Sequence, residues 1–331
     1  MKKVYNWGIL GAGSIAHKFA GDLKLLPNAK LLAVGSRSSE RARKFAAEHA
    51  IMKAYGTYEE LVTDPELDVI YIASRHVGHY PDSMLCLEHG KAVLCEKPVA
   101  INRRQFERMI GLAAEKKLFF MEALWTRFIP SFMKCLEIVK SGLIGKVRLI
   151  ESDFCFNPPY DPMGRLYNPL LGGGSLLDVG LYPVFLAMQM GSTITEIKAM
   201  AQLDGNNIDT SCTMLLSHEE GELSVLSSSI VTNGRVESII HGNKGMVRLN
   251  RWWHVPTSVD IVLDGKSPEN ITFQEPGNGY QYEAEEVMKC LDEGKQESNL
   301  WSWEHSQQLI SILDKVREMT GIVYPAGVES L

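Results

Sequence analysis

The sequence has no cysteine pair spaced for a metal or redox motif and no dense cysteine framework. Its six cysteines, Cys86, Cys95, Cys135, Cys155, Cys212 and Cys290, are scattered along the chain. That excludes a disulfide-built scaffold and points to reduced thiols in a reducing compartment. No charge of one sign dominates: 34 Lys and Arg stand against 40 Asp and Glu, a formal net charge of -6. Nucleic-acid binders usually show a basic domain or stripe, so the balance argues against that partner class, although a local basic pocket for phosphate is still open. No apolar stretch reads as long enough to span a bilayer. Met1-Lys2-Lys3-Val4-Tyr5-Asn6-Trp7 runs straight into a strand-like segment, without the apolar core of a signal peptide. The expectation is a cytoplasmic protein with no membrane and no nucleic-acid partner. Internal repeats and low-complexity linkers are also missing.

What is present is an ordinary globular balance, 45% hydrophobic and 22% charged, over 331 residues. That length suits two domains, each with its own core. In the first third, short apolar runs alternate with helical patterns. Strands are expected at 5–10, 29–35, 69–73, 92–95 and 118–121, with helices at 15–26, 39–49, 80–88 and 102–116. Alternation of this kind specifies a parallel, doubly wound sheet. After about Thr126 the runs lengthen and alternate with period two, at 147–156, 196–203, 210–216, 222–229, 235–241, 246–250 and 258–263. This predicts an open, largely antiparallel sheet with one face covered. Gly242-Asn243-Lys244-Gly245 is a turn signal between two of these strands, and helices at 280–292 and 303–320 close the chain. The fold class expected is α/β: a Rossmann domain over residues 1–124, then an α+β domain over 125–331.

The first strand leads into Gly11-Ala12-Gly13-Ser14-Ile15-Ala16 and a helix, the G-x-G-x-x-A form of the dinucleotide fingerprint. Gly11 permits the tight turn and Gly13 lets backbone approach a pyrophosphate. Ala16 allows helix and strand to pack closely. The helix start, at Ser14 and Ile15, offers N–H groups to phosphate. An NAD site usually ends its second strand with a carboxylate for the ribose 2′-hydroxyl. Here the strand ends Gly35-Ser36-Arg37-Ser38. Ser36 can bond a 2′-phosphate, Arg37 can clamp it, and Arg41 lies one helical turn further on. NADP is therefore expected over NAD.

Two further segments carry chemistry. Cys95-Glu96-Lys97-Pro98 stands at the C-terminal end of a strand, the edge where open α/β sheets bind ligands. Gly172-Gly173-Gly174-Ser175-Leu176-Leu177-Asp178-Val179-Gly180-Leu181-Tyr182-Pro183 opens a helix with three glycines and sets Asp178 and Tyr182 four apart on one face. With the fingerprint and the Gly242–Gly245 turn, these residues resemble the Gfo/Idh/MocA oxidoreductase family, named for glucose–fructose oxidoreductase and inositol dehydrogenase, over nearly the whole chain. Met121-Glu122-Ala123-Leu124-Trp125-Thr126-Arg127-Phe128, Leu313-Asp314-Lys315-Val316-Arg317 and Val323-Tyr324-Pro325 are similar to the subgroup of dimeric dihydrodiol dehydrogenases, NADP-dependent D-xylose dehydrogenases and glucose–fructose oxidoreductases. Many family members carry His where this chain has Tyr182, which argues against inositol-type activity.

The resemblance implies a dehydrogenase or reductase acting on a sugar or cyclic vicinal diol. Lys97 would lie near the nicotinamide, and its charge would lower the pKa of a neighbouring Tyr182. A tyrosine near pKa 10 in water is too weak a base at neutral pH without such help. Asp178 would orient Lys97 or the substrate. The loop Ser74-Arg75-His76-Val77-Gly78-His79 would lie against the cofactor, with His76 lining the nicotinamide pocket and His79 capping the next helix. H-x-x-H without an acidic or thiol partner at matching spacing does not specify a metal site, so no metal is expected. Trp125, Arg127, Phe154, Asn157 and Arg165 are pocket-wall candidates by family position. Trp252-Trp253-His254 could close that pocket or cover the sheet. A homodimer through the C-terminal sheet also follows from the resemblance. Two other readings are a non-catalytic NADP-binding sensor of the same fold and a self-recycling oxidoreductase with tightly held cofactor.

Overall fold

The computed structural model describes residues 3–331. In chain order the elements are β1 (Tyr5–Leu10), α1 (Ser14–Leu23), β2 (Ala29–Gly35), α2 (Ser39–His49), β3 (Lys53–Tyr55), α3 (Tyr58–Val62), β4 (Val69–Ile72), α4 (His76–Glu88), β5 (Ala92–Glu96), α5 (Arg103–Lys116), β6 (Phe120–Ala123) and α6 (Pro130–Lys140). There follow β7 (Val147–Cys155), α7 (Leu181–Met190), β8 (Ile194–Leu203), β9 (Asp209–His218), β10 (Leu223–Ser229), β11 (Ser238–Gly242), β12 (Gly245–Leu249), β13 (Val259–Leu263), β14 (Glu269–Ile271), α8 (Tyr280–Asp292), α9 (Trp303–Thr320) and α10 (Ala326–Glu329). The chain divides into two compact units. One comprises Met1–Trp125 and Glu275–Gln307, with the terminal Leu331, and the other Thr126–Gln274 and Gln308–Ser330.

The first unit is a six-stranded sheet in the order β3-β2-β1-β4-β5-β6, every pair parallel. This is the doubly wound order, with the crossover between β1 and β4 marking the ligand-binding edge. Strands such as β4, Val-Ile-Tyr-Ile, are buried at every residue because helices cover both faces. Phe19 of α1 stacks on Tyr71 of β4 at 3.7 Å between ring centres. Residues Glu275–Gln307, assigned to the C-terminal domain by periodicity, pack with this sheet. The anchor is Asp22, a buried carboxylate on α1 that accepts from the backbone and side-chain N–H of Asn278 and from the Tyr280 backbone at 2.9–3.0 Å. No periodicity reports such a long-range capture.

The second unit holds an eight-stranded sheet in the order β14-β13-β12-β11-β7-β10-β9-β8. All pairs are antiparallel except β7 with β10. Helices α6 and α7 cover one face. The other face exposes Met200, Leu215, Leu223 and Val225. The elements missing from the expected set are α6, an 11-residue helix with one buried apolar face and one charged face, and several short ones. β3 and β14 have three residues each. α3 has five residues, although Thr57 and Glu60 form a full capping box that the sequence displays as Thr-x-x-Glu. One expectation needs correcting: Pro169–Met190 is apolar over 22 residues, long enough to cross a bilayer. It is a core segment instead, 89% of its apolar window being buried inside the protein.

Candidate active site

In the first unit, β1 ends at a turn where Gly11 has φ +102°. A Cβ there would also meet the Ala73 carbonyl oxygen at 2.9 Å, so only glycine fits. Gly13 is the N-cap of α1. It brings no capping side chain, and the first turn carries no acidic residue. Gly13 and Ser14 are exposed, with Ile15 half-buried beside them, so backbone N–H groups of this turn stand open to an anion. At the end of β2, Ser36 is buried and its hydroxyl accepts from the Ser38 backbone at 3.3 Å. Arg37 and Arg41 are exposed, and Ser38 caps α2 by accepting from the Arg41 backbone. Tyr58 lies beside Arg37: burial raises its phenol pKa and the guanidinium opposes that shift. These residues fit a dinucleotide carrying a 2′-phosphate, with glycine clearance and open N–H groups for the pyrophosphate and no carboxylate at the strand end.

Glu96 closes β5 with its side chain inside the protein. Tyr71 donates to its Oε1, and the Lys97 backbone donates to Oε2 at 3.2 Å. Burial raises the Glu96 pKa, and the bond from Tyr71 and the charge of Lys97 work against that rise. Glu122 of β6 is likewise buried. It accepts from the Val99 backbone, Trp301 Nε1 and Ser306 Oγ at 3.0, 3.1 and 2.6 Å, and it too feels the Lys97 charge. Lys97 is thus held beside two buried carboxyl groups, one of which the sequence reading passed over. The signal for Glu122 was a lone acid inside an apolar strand.

His79 does not cap α4. Its Nδ1 lies 2.6 Å from the Pro98 carbonyl and its Nε2 3.2 Å from that of Ser74. Through the Nδ1 contact it ties the Lys97-Pro98 turn to α4. Burial pushes its pKa down to about 4, keeping it neutral, so the shorter contact identifies Nδ1–H as the donor. His76 starts α4, its ring 5.8 Å from that of His79.

In the second unit, Tyr182 sits in the first turn of α7, only 3% exposed. Around it stand Phe154, His254 and Trp253, with ring centres 5.5, 5.4 and 6.3 Å away. Phe154 stacks on His254 at 4.0 Å. The paired tryptophans differ in burial. Trp253 is fully buried and donates to the Asp153 carbonyl, while Trp252 is 42% exposed. Asp178 is buried and pairs with Arg165, Nη1 to Oδ1 2.7 Å. The turn that carries Asp178 and leads to Tyr182, Leu176–Gly180, is π-helical, which corrects the expected α-helical face; such wide turns recur at functional sites.

Residues 5–124 match the Gfo/Idh/MocA oxidoreductase family with an NAD-binding Rossmann fold, and residues 132–248 match that family's C-terminal domain. A trans-1,2-dihydrobenzene-1,2-diol dehydrogenase of Mus musculus is 36% identical, covering 96% of this chain and 98% of the relative. The chain belongs to the Gfo/Idh/MocA oxidoreductase family. The Xenopus laevis dehydrogenase for the same diol is 35% identical, over 96% of this chain and 99% of its own. A 3-ketoreductase from Actinomadura kijaniata, solved with NADP and TDP-benzene, shares the fold: TM-score 0.86, 24% identity, 96% of this chain and 98% of that one.

For a Gfo/Idh/MocA chain, the remaining candidates fall unevenly. Trp125 is buried in the first unit, stacked on Tyr280 at 4.1 Å. Arg127 is buried in the second, its Nη1 on Met133 Sδ at 2.7 Å. Asn157 is exposed, its backbone N–H on Asn233 Oδ1. Asp209, on β9, escaped the sequence reading. Its Oδ2 accepts from Ser175 Oγ at 2.8 Å and the Leu176 backbone at 2.6 Å, fixing the start of the turn that carries Asp178. Gly174, at φ +120°, leaves room for it: a Cβ there would sit 2.1 Å from Asp209 Oδ1. Tyr324 completes the brace, donating to the Gly173 carbonyl at 2.6 Å.

Burial pushes the Asp209 carboxyl up to about 7, the two bonds it accepts pulling the other way. The folded protein then holds that proton more tightly than the unfolded chain does, where an Asp titrates near pH 4. The stabilisation is fully present below pH 4 and is lost as pH rises to about 7. Asp209→Asn, which keeps an acceptor and cannot ionise, should gain stability relative to the parent as pH increases. The difference in Tm between the two proteins should widen by several degrees between pH 5 and pH 8. A gap independent of pH would show that Asp209 stays charged in the fold.

Proposed function

We propose that this chain is an NADP-dependent oxidoreductase moving a hydride between the nicotinamide and a CH–OH or C=O carbon of a cyclic vicinal diol or a sugar, with trans-1,2-dihydrobenzene-1,2-diol the first substrate to test. The observation that carries the reading is Tyr182 itself, a phenol at the head of a helix in a box of aromatic rings. Flat apolar walls suit a cyclic diol or the apolar face of a sugar ring. The relatives of about a third identity, named for that diol, support it over nearly the full chain.

Gly11, Gly13, Ser14 and Ile15 would hold the pyrophosphate, and Ser36, Arg37 and Arg41 the 2′-phosphate. Ser74, His76, Glu96 and Lys97 would border the nicotinamide, while His79 fixes the Lys97 turn. A nicotinamide held there would supply the acceptor for the carbinol hydride. Tyr182 takes the hydroxyl proton at its phenolic oxygen, so the C–OH becomes C=O; in reverse it returns that proton to the carbonyl oxygen. Lys97 supplies the positive charge that favours the phenolate. Asp178, neutralised by Arg165, orients substrate hydroxyls. Phe154, Trp125, Arg127, Asn157 and Arg165 are the proposed pocket-wall residues.

The cofactor half of the reading has a direct test. Arg37→Ala should raise KM for NADP+ about tenfold or more, the loss of one charge-assisted fork, and leave KM for NAD+ within about twofold. Equal effects on both cofactors would place Arg37 outside the 2′-phosphate site. The open face of the eight-stranded sheet is the surface for a homodimer, and Leu215→Glu there should shift sedimentation from dimer to monomer. Six free, buried cysteines suit a cytoplasmic protein.

A further inference from the structure

The first unit carries a second constellation, on the outside of α1 and α2. His17 Nδ1 lies 2.8 Å from His49 Nε2 and 3.7 Å from Glu48 Oε2. One ligand atom from each of the three side chains falls within 4.8 Å of the others. The two helices place them: His17 is one turn into α1, and Glu48 and His49 end α2. Phe45, buried under the group, holds both imidazoles, its ring centre 4.5 Å from each. The rings are therefore set with a nitrogen each toward one point, instead of sweeping freely as surface histidines do.

We propose that His17, Glu48 and His49 bind one divalent transition-metal ion, zinc by its donor set. Two imidazoles and a carboxylate, with a fourth position left to water, make an N/N/O site of the kind zinc takes in tetrahedral geometry. Ligand nitrogens of one tetrahedral zinc stand roughly 3.3 Å apart when each Zn–N bond is about 2.0–2.1 Å. The rings need separate by only about half an ångström from their present contact. The ion replaces the shared N–H···N contact. The donor ring gives up the N–H proton facing its partner to water and takes one from water at its other nitrogen: one N–H bond breaks, one forms, and the ring stays neutral. Lys44 stands 4.0 Å from Glu48 Oε1, leaving Oε2, the oxygen nearer His17, for the ion. Occupied, the site clamps the end of α2 to the first turn of α1, independently of any substrate.

Titration with zinc followed by calorimetry, and with cobalt followed by its visible absorption, tests this on the full chain. One ion per chain should bind at about micromolar Kd or tighter. Cobalt should give the intense visible bands of a tetrahedral site. Excess zinc should raise Tm by about 2–4 °C. His17→Ala and His49→Ala should each weaken binding at least tenfold and abolish the Tm shift, while His89→Ala, at an exposed histidine elsewhere, should change neither. The substituted side chains lie at the surface, so the variants fold. Binding that survives both histidine substitutions, or no binding by the parent protein, overturns the site.

Discussion

Replacing Tyr182 by Phe should lower kcat by roughly 10²-fold or more while leaving the fold and NADPH binding intact. The substitution removes one oxygen and keeps the ring among Phe154, Trp253 and His254, so the aromatic box is preserved. What is lost is the atom that exchanges the substrate proton. Raising the pH should not recover activity, because no titrating group is left to do this work. Single-turnover kinetics with bound NADP+ would separate this from a slow release step. A variant with near-parental kcat would remove Tyr182 from the chemistry.

Lys97→Met should produce a loss of similar size with a different signature. The lysine stands beside the buried Glu96 and Glu122, whose carboxyl groups its charge helps keep ionised against burial. Its ammonium is also the charge proposed to favour the Tyr182 phenolate. Without it the phenol needs more alkaline solution to lose its proton, so kcat for diol oxidation should fall about 10²-fold at neutral pH and recover in part as pH rises. Lys97→Arg, which retains the charge, should regain a measurable fraction of activity. A parallel drop at every pH, not relieved by arginine, would make Lys97 a structural residue of the turn after β5.

The two predictions differ in how far the sequence alone supports them. The parallel order of the first sheet followed from apolar runs such as β4 alternating with helices, because both-face burial leaves that imprint. The fingerprint glycines were legible for the same reason that they are required: only glycine tolerates the φ of Gly11 and its approach to Ala73. Lys97 and Tyr182 were found by motif. The residues that brace them were not. Asp209 supports the glycine-rich turn from a strand 33 residues away, and Asp22 captures Asn278 across 256. Such contacts depend on the path of the chain, and neither acid stands out from the polar residues around it. His79 shows the opposite failure. A helix cap is expected of it, yet its Nδ1–H donates to the carbonyl of Pro98, reached only when β4 and β5 lie side by side. The apolar segment Pro169–Met190 passed unmarked because glycines interrupt it, and its wide π turn leaves no periodic trace.

The central claim is hydride transfer from a vicinal diol to NADP. It is tested most directly by the absorbance of NADPH when the purified protein is mixed with trans-1,2-dihydrobenzene-1,2-diol and either NADP+ or NAD+. Steady NADPH formation is expected, with kcat/KM at least tenfold higher with NADP+ than with NAD+ and a panel of aldoses ranked alongside the diol. Tight NADPH binding with no turnover of diol or sugar in either direction would contradict it, and would leave a protein that binds the dinucleotide without using it.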